Sequence, residues 1–291
     1  MNRRMRKVMN RRMNFISTII VGGLIAVSAN AEVVYNSIDN PLPPNVPSEG
    51  YQCCSTAELG NIVTPTFSGG TFTSASIVMS DWATKSTYPS GWGPVTTVDP
   101  AGFTVPLTLN IYSVGAGGAV GTEIGTVTEN ALIPWRPETG GCGGDPTAYT
   151  GSDSLCYHGS ASVVTFDLSS LNLSVPEQFI YGVAFNTNTW GYSPLGYDGP
   201  FESLNVGVEN VGPSVGKDNG LGTYYVAGPV NGNVFSQNTN ATNTNVADIS
   251  GYGVEAQFSE APEPSTFGLI GIGFLAVFLA TRRSRLAQNV R

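Results

Sequence analysis

Two carboxylates facing each other across a cleft are the minimum equipment for glycoside hydrolysis, and Glu123, Glu129, Glu202 and Glu209 are candidates. No spacing singles out a pair of them, and a carboxylate at a strand end or in a loop is solvated by default. The single histidine, His158, follows Cys156 in a loop, so a serine or cysteine nucleophile has no evident base beside it. No catalytic residue is assigned, and the chain reads as a protein without enzymatic activity.

Binding chemistry is better represented. Trp82, Trp92, Trp135 and Trp190, with Tyr88, Tyr192 and Tyr197, fall mostly in long connections between strands. Exposed rings of this kind stack on sugar rings while neighbouring Asn and Asp bind hydroxyls, and Trp92, Trp190 and Tyr192 are the candidates for glycan stacking. The competing reading is that the rings fold inward and seal loops that carry little other apolar content. Calcium is a candidate cofactor because Asp145, Asp153, Asp198 and Asp218 lie in or near Gly-rich loops whose carbonyls can complete an oxygen shell; none of them matches an EF-hand loop. The four cysteines are Cys53, Cys54, Cys142 and Cys156. Cys142 with Cys156 reads as a local disulfide, worth about 3 kcal/mol on the loop-entropy model. Cys53 and Cys54 either bridge each other or reach the other pair. A zinc site finds no CxxC or HxxxH spacing to support it.

The segments that must position these groups are set off by charge. Six of the 13 Lys and Arg precede Phe15 and four follow Thr281, leaving Lys85, Arg136 and Lys217 in between. Twenty of the 21 Asp and Glu lie between Glu32 and Glu260, so that body carries a net charge of −17, which the whole-chain value of −8 conceals. Such a body repels phosphate backbones, and nucleic acid is excluded as a partner. The basic clusters instead flank two apolar runs, where positive charge holds a flank in the cytoplasm.

The first run, Phe15 to Val27, follows a basic stretch and precedes Ser28-Ala29-Asn30-Ala31, the order of a secretory signal peptide over residues 1–31. Ala29 and Ala31 form the A-x-A site, with signal peptidase as the partner; a retained N-terminal anchor is the alternative. Residues 32–260 are rich in Gly, Thr, Ser, Asn and Val and show no long helical period. Strands are predicted at Glu32 to Tyr35, Leu59 to Thr64, Thr71 to Ser80, Leu107 to Val114, Ile124 to Leu132 and Ser162 to Leu168. Further ones are predicted at Phe179 to Asn186, Ser203 to Val208, Thr223 to Val226 and Gly253 to Phe258. In "LTLNIYSV", Leu107, Leu109 and Ile111 alternate with Thr108, Asn110 and Tyr112, so one face is dry and the other wet. The expected class is all-β: an antiparallel β-sandwich, jelly-roll-like, with long loops, an N-terminal signal helix and a short C-terminal transmembrane helix.

The last segment, 261–291, contains Pro262-Glu263-Pro264, an uncharged apolar run over 266–280, and a basic end over 282–291 with Arg282 and Arg283. Fifteen helical residues span only about 22 Å, short of the roughly 30 Å hydrocarbon core, which suits a temporary anchor. The three parts in this order resemble the PEP-CTERM sorting signal of exosortase substrates. The resemblance implies an exported bacterial protein held briefly in the inner membrane and processed by an exosortase near Pro262, Glu263 and Pro264. Its destination is the cell surface or the extracellular exopolysaccharide matrix of a biofilm, with a structural or adhesive role; a carbohydrate-binding module is the alternative, and a glycoside hydrolase a further one. An ordinary C-terminal tail anchor is the competing reading of the segment itself.

Overall fold

The computed structural model describes residues 31–51, 56–88, 100–185, 203–209, 212–218, 224–228, 234–238 and 253–261. Fifteen strands occur among them. In chain order they are β1 (Glu32–Asn36), β2 (Ser48–Gly50), β3 (Glu58–Thr64), β4 (Thr71–Asp81), β5 (Gly102–Val114), β6 (Val120–Pro134), β7 (Tyr149–Thr150) and β8 (Cys156–Tyr157). There follow β9 (Ser160–Asp167), β10 (Phe179–Ala184), β11 (Leu204–Gly207), β12 (Lys217–Asp218), β13 (Tyr224–Ala227), β14 (Ser236–Asn238) and β15 (Ala256–Ala261). Two short 3-10 turns, Ala116–Gly118 and Ser169–Leu171, accompany the strands. No helix among the described residues is long and apolar enough to cross a membrane, and both predicted membrane-directed runs lie outside them.

All ladders are antiparallel, as the alternating strands require. One sheet runs β1-β15-β4-β11-β2, with β9 along the other side of β4; the second runs β14-β13-β3-β10-β5-β6, with β12 on β3. Strands β7 and β8 form a separate small hairpin. The β5–β6 hairpin turns over a Gly-rich tip, where Gly117 and Gly118 take φ of 69° and 84°, a conformation that a side chain disfavours. Along β5, Leu107, Leu109 and Ile111 are fully buried while Thr108, Asn110 and Tyr112 are half-exposed on the opposite face, as the alternation predicts.

The two sheets meet in one core. Phe258 of β15 lies 4.9 Å from Phe179 and 5.1 Å from Tyr181, both on β10 of the opposite sheet. Phe72 of β4 also crosses the gap, 5.3 Å from Phe179, edge to face. All four rings are fully buried. The sequence reading finds each longer strand but misses β2, β7, β8, β12 and β14, whose two or three residues are too few to carry a period. The last strand ends at Ala261, one residue beyond the boundary expected for the body.

Phe258→Ala empties the point where four rings converge, so unfolding in urea is expected to show a loss of about 3–5 kcal/mol relative to the unmodified chain. A loss below about 1 kcal/mol would mean that the sheets do not depend on this contact.

Candidate functional site

Where β4 ends, Asp81 is fully buried and its Oδ1 accepts the amide of Ala83 at 3.1 Å, turning the chain so that Trp82 points outward. The indole is 44 % exposed. Its Nε1 donates to Ser80 Oγ at 3.2 Å, and one ring face stacks on His158 with centroids 5.9 Å apart. Gly159 makes this stacking feasible: a Cβ there would sit 2.5 Å from Trp82 Nε1. Arg136 arrives from the end of β6, bridging to Thr84; its Nε donates to the Trp82 carbonyl at 2.7 Å and one terminal nitrogen to the Thr147 carbonyl at 3.2 Å. Trp82, Arg136, Thr147 and His158 line an open recess of about 290 Å³.

The excursion from β6 to β9 is built to hold this recess. Cys142 and Cys156 form a disulfide, fixing β8 against the turn in which Cys142 and Asp145 exchange backbone hydrogen bonds of 3.1 and 2.9 Å. Asp145 Oδ1 accepts the amide and hydroxyl of Thr147 at 2.7 and 2.6 Å, and Oδ2 lies 2.8 Å from His158 Nε2. These bonds, Thr147 foremost, hold the Asp145 carboxyl below its ordinary range. Tyr149 ties the hairpin down by donating to the Gly159 carbonyl at 2.9 Å.

Three of the four calcium candidates lie among the described residues, and they do not converge. Asp145 is committed to Thr147 and His158, Asp153 accepts from Tyr157 and the Leu155 amide, and Asp218 lies in β12. Among the described residues no three His, Cys, Asp or Glu side chains converge on a metal-sized site. The disulfide likewise removes Cys142 and Cys156 from any zinc set.

The aromatic candidates divide. Trp135 packs inward, 5.1 Å from Phe103 and stacked with Tyr88 at 6.4 Å, so those two rings seal the core as the competing reading expected. Trp82 stays outward. Trp92, Trp190, Tyr192, Asp198 and Glu202 lie outside the described residues, as do Cys53, Cys54, Ala29, Pro262, Glu263, Pro264, Arg282 and Arg283. Ala31 is exposed immediately before β1.

Several carboxylates are not solvated as the sequence suggested. Glu209 and Glu255 are each only 2 % exposed, on neighbouring segments joined by the Val208–Val254 bridge. Tyr35 donates to Glu209 Oε1 at 2.7 Å. Burial pushes Glu209 up to about 7, and burial together with the charges of Asp39 and Glu209 pushes Glu255 up to about 8. Glu123 lies exposed and Glu129 half-buried on β6 in the opposite sheet, so the structure does not bring them together with Glu209 as an acid and base pair. Glu58, which sequence reasoning passed over, is nearly buried on the outer face of the seven-stranded sheet. There Asn110 and Tyr112 both donate to its Oε1 at 3.0 Å, and burial raises its carboxyl.

One further run was passed over: Gly212-Pro213-Ser214-Val215-Gly216 has the G-x-S-x-G spacing of a nucleophile elbow. The elbow needs a strand-to-helix turn, whereas here Val215 bridges to Asn36 and Ser214 Oγ accepts from Asn36 Nδ2 at 2.9 Å. His158, the one histidine of the sequence, is engaged elsewhere with Asp145.

Glu260 and Ala261 close β15, which lies between β1 and β4. The family model of the PEP-CTERM protein-sorting motif matches residues 260–284. The tail is a PEP-CTERM sorting signal. A chain with a PEP-CTERM signal is exported, processed by an exosortase and sorted to the cell surface. No curated protein and no solved structure matches the chain.

Two outcomes are expected from this geometry. Unfolded, both buried carboxyls ionise near 4.5, whereas folded they keep their protons to about 7 and about 8. The folded state therefore binds more protons across that window, and this pair lowers stability progressively as pH rises from 4.5 to 8. Glu209→Gln with Glu255→Gln should raise the thermal midpoint over the unmodified chain more at pH 8 than at pH 5; an equal effect at both would contradict the burial. Gly159→Ala should push the indole off His158 at a cost of about 1–3 kcal/mol, seen as lost ring-current shifts on the His158 protons.

Proposed function

We propose that this is a non-enzymatic component of the cell surface or extracellular polysaccharide, with a structural or adhesive role. It is exported on a cleavable signal peptide, held transiently in the inner membrane by residues 266–280, and released by exosortase cleavage near Pro262, Glu263 and Pro264. The sorting motif over residues 260–284 carries this reading. The Cys142–Cys156 disulfide agrees with it, because such a bond persists in an oxidising compartment. So does the place where the ends emerge: Glu32 pairs with Glu260, so both processing points flank strands that lie side by side in one sheet. Cutting at either point leaves the strands intact.

The body is assigned to the jelly-roll type. Supporting this is the order β1-β15-β4-β9 in one sheet facing β3-β10-β5-β6 in the other, with the chain crossing between sheets at most steps. A second reading, binding of carbohydrate, is favoured by one observation: the exposed Trp82 ring in a recess that also presents Arg136 and Thr147.

Replacing Pro262, Glu263 and Pro264 together by Ala in the native host tests the main reading. The expected result is a longer protein retained in the inner membrane fraction, with surface protein reduced at least about tenfold. Unchanged surface delivery of a shortened protein would overturn exosortase processing at this motif.

A further inference from the structure

Three Lys or Arg stand among twenty acids in this body, and Arg136 is the one that lines the recess. Its side chain donates to the carbonyls of Trp82 and Thr147, neutral groups that orient the guanidinium without neutralising it. Among the described residues no carboxylate lies within ion-pair distance of it, the one such pair being His158 with Asp145. The Arg136 charge acts on the carboxyls of Asp81 and Glu138, but neither forms an ion pair with it. Asp81 is fully buried behind the recess, and burial raises its carboxyl well above the ordinary range. Asp145 holds Thr147 and His158, and Glu138 accepts the amide of Ser86 at 2.8 Å. A guanidinium fixed in plane at the wall of an open recess, with donors left over, is a receptor for a planar carboxylate.

The rest of the recess specifies what carries that carboxylate. Trp82, stacked on His158, offers an aromatic surface to the C–H face of a pyranose ring, and a volume of about 290 Å³ is the size for one or two rings at most. The net charge of −17 on the body limits the choice further. A run of consecutive anionic sugars would lie across the acidic surface and be repelled, whereas one anionic unit at the recess sits within contact of Arg136 while more distant acids are screened beyond roughly 8 Å at physiological salt.

We infer that the recess formed by Trp82, Arg136, Thr147 and His158 binds a single uronic acid residue carried in an otherwise neutral polysaccharide. The sugar ring stacks on Trp82, and its carboxylate takes two hydrogen bonds from Arg136. This rests on the carbohydrate-binding reading above and adds the charge of the recognised unit.

The first comparison is of ligands on one unmodified protein, where folding of variants does not enter. The full-length chain in detergent micelles is titrated by calorimetry with a trisaccharide of one glucuronate linked to xylobiose, with the methyl ester of that trisaccharide, and with trigalacturonate. The expected result is that the acid binds at least about tenfold tighter than its ester, as a charge-assisted contact implies, and tighter than trigalacturonate. Trp82→Ala should abolish binding of acid and ester alike, while Arg136→Lys should narrow the gap between them. If acid and ester bind equally and Trp82→Ala removes both, the recess is a sugar site but the uronate inference falls. If trigalacturonate binds best, the single-unit claim falls. If none of the three binds, the inference and the carbohydrate reading fall together.

Discussion

Phe258 lies in the last strand of one sheet with its ring against Phe179 and Tyr181 of the other, and Phe72 and Tyr35 pack at its sides. Almost everything described above depends on that contact. A sheet with one apolar face is stable only when the face is covered, and here the two sheets cover each other through aromatic rings that combine large buried area with edge-to-face geometry. Because β15 closes the sheet between β1 and β4, the body is complete only when its last strand is in place. The sorting tail begins at that strand's end. The same ring that joins the sheets therefore fixes where the tail leaves, directly beside the residue that follows the proposed signal peptide.

The recess inherits its geometry from the same frame. Strand β4 is held along its length by β15 and β11 on one side and β9 on the other, so the turn made by Asp81 presents Trp82 from a rigid base. Arg136 is delivered by the end of β6, a strand paired along almost all of β5. What remains, the stretch between β6 and β9, has little apolar content and is stabilised locally by the disulfide, the Asp145 turn and the Tyr149 hydroxyl. Rigid strands carry two of the lining residues, and a stapled hairpin region carries the other two. A binding surface assembled this way loses little conformational entropy when it is occupied.

Much of the fold could be read from alternation alone. Strand β5 declares its two faces in "LTLNIYSV", and β4, β9 and β10 are recognisable from runs of β-branched and aromatic residues. Strands of two or three residues carry no such pattern, since their pairing is decided by neighbours far away in sequence. The recess was only half legible. Trp82 stands out as a ring in a loop, whereas His158 reads as an isolated loop residue and nothing in the sequence around Arg136 marks it. A signal was present nonetheless: Arg136 and His158 flank the Cys142–Cys156 pair, and closing that loop draws its two ends together. Buried Glu209 and Glu255 were illegible for a different reason. Exposed and enclosed carboxylates have the same sequence signature, and only the packing of Tyr35 and the Val208–Val254 bridge around them separates the two cases. The tail was the most legible part, because its signal is linear and is recognised by other proteins as such.

Export of the body and processing at its sorting signal are tested most directly by the intact mass of the protein recovered from its native host's surface. A species beginning at Glu32 and ending near Pro262, Glu263 and Pro264, with Cys142 and Cys156 oxidised, is the predicted result. A surface species that still carries residues 266–291 would contradict it, and would make the apolar run a lasting anchor.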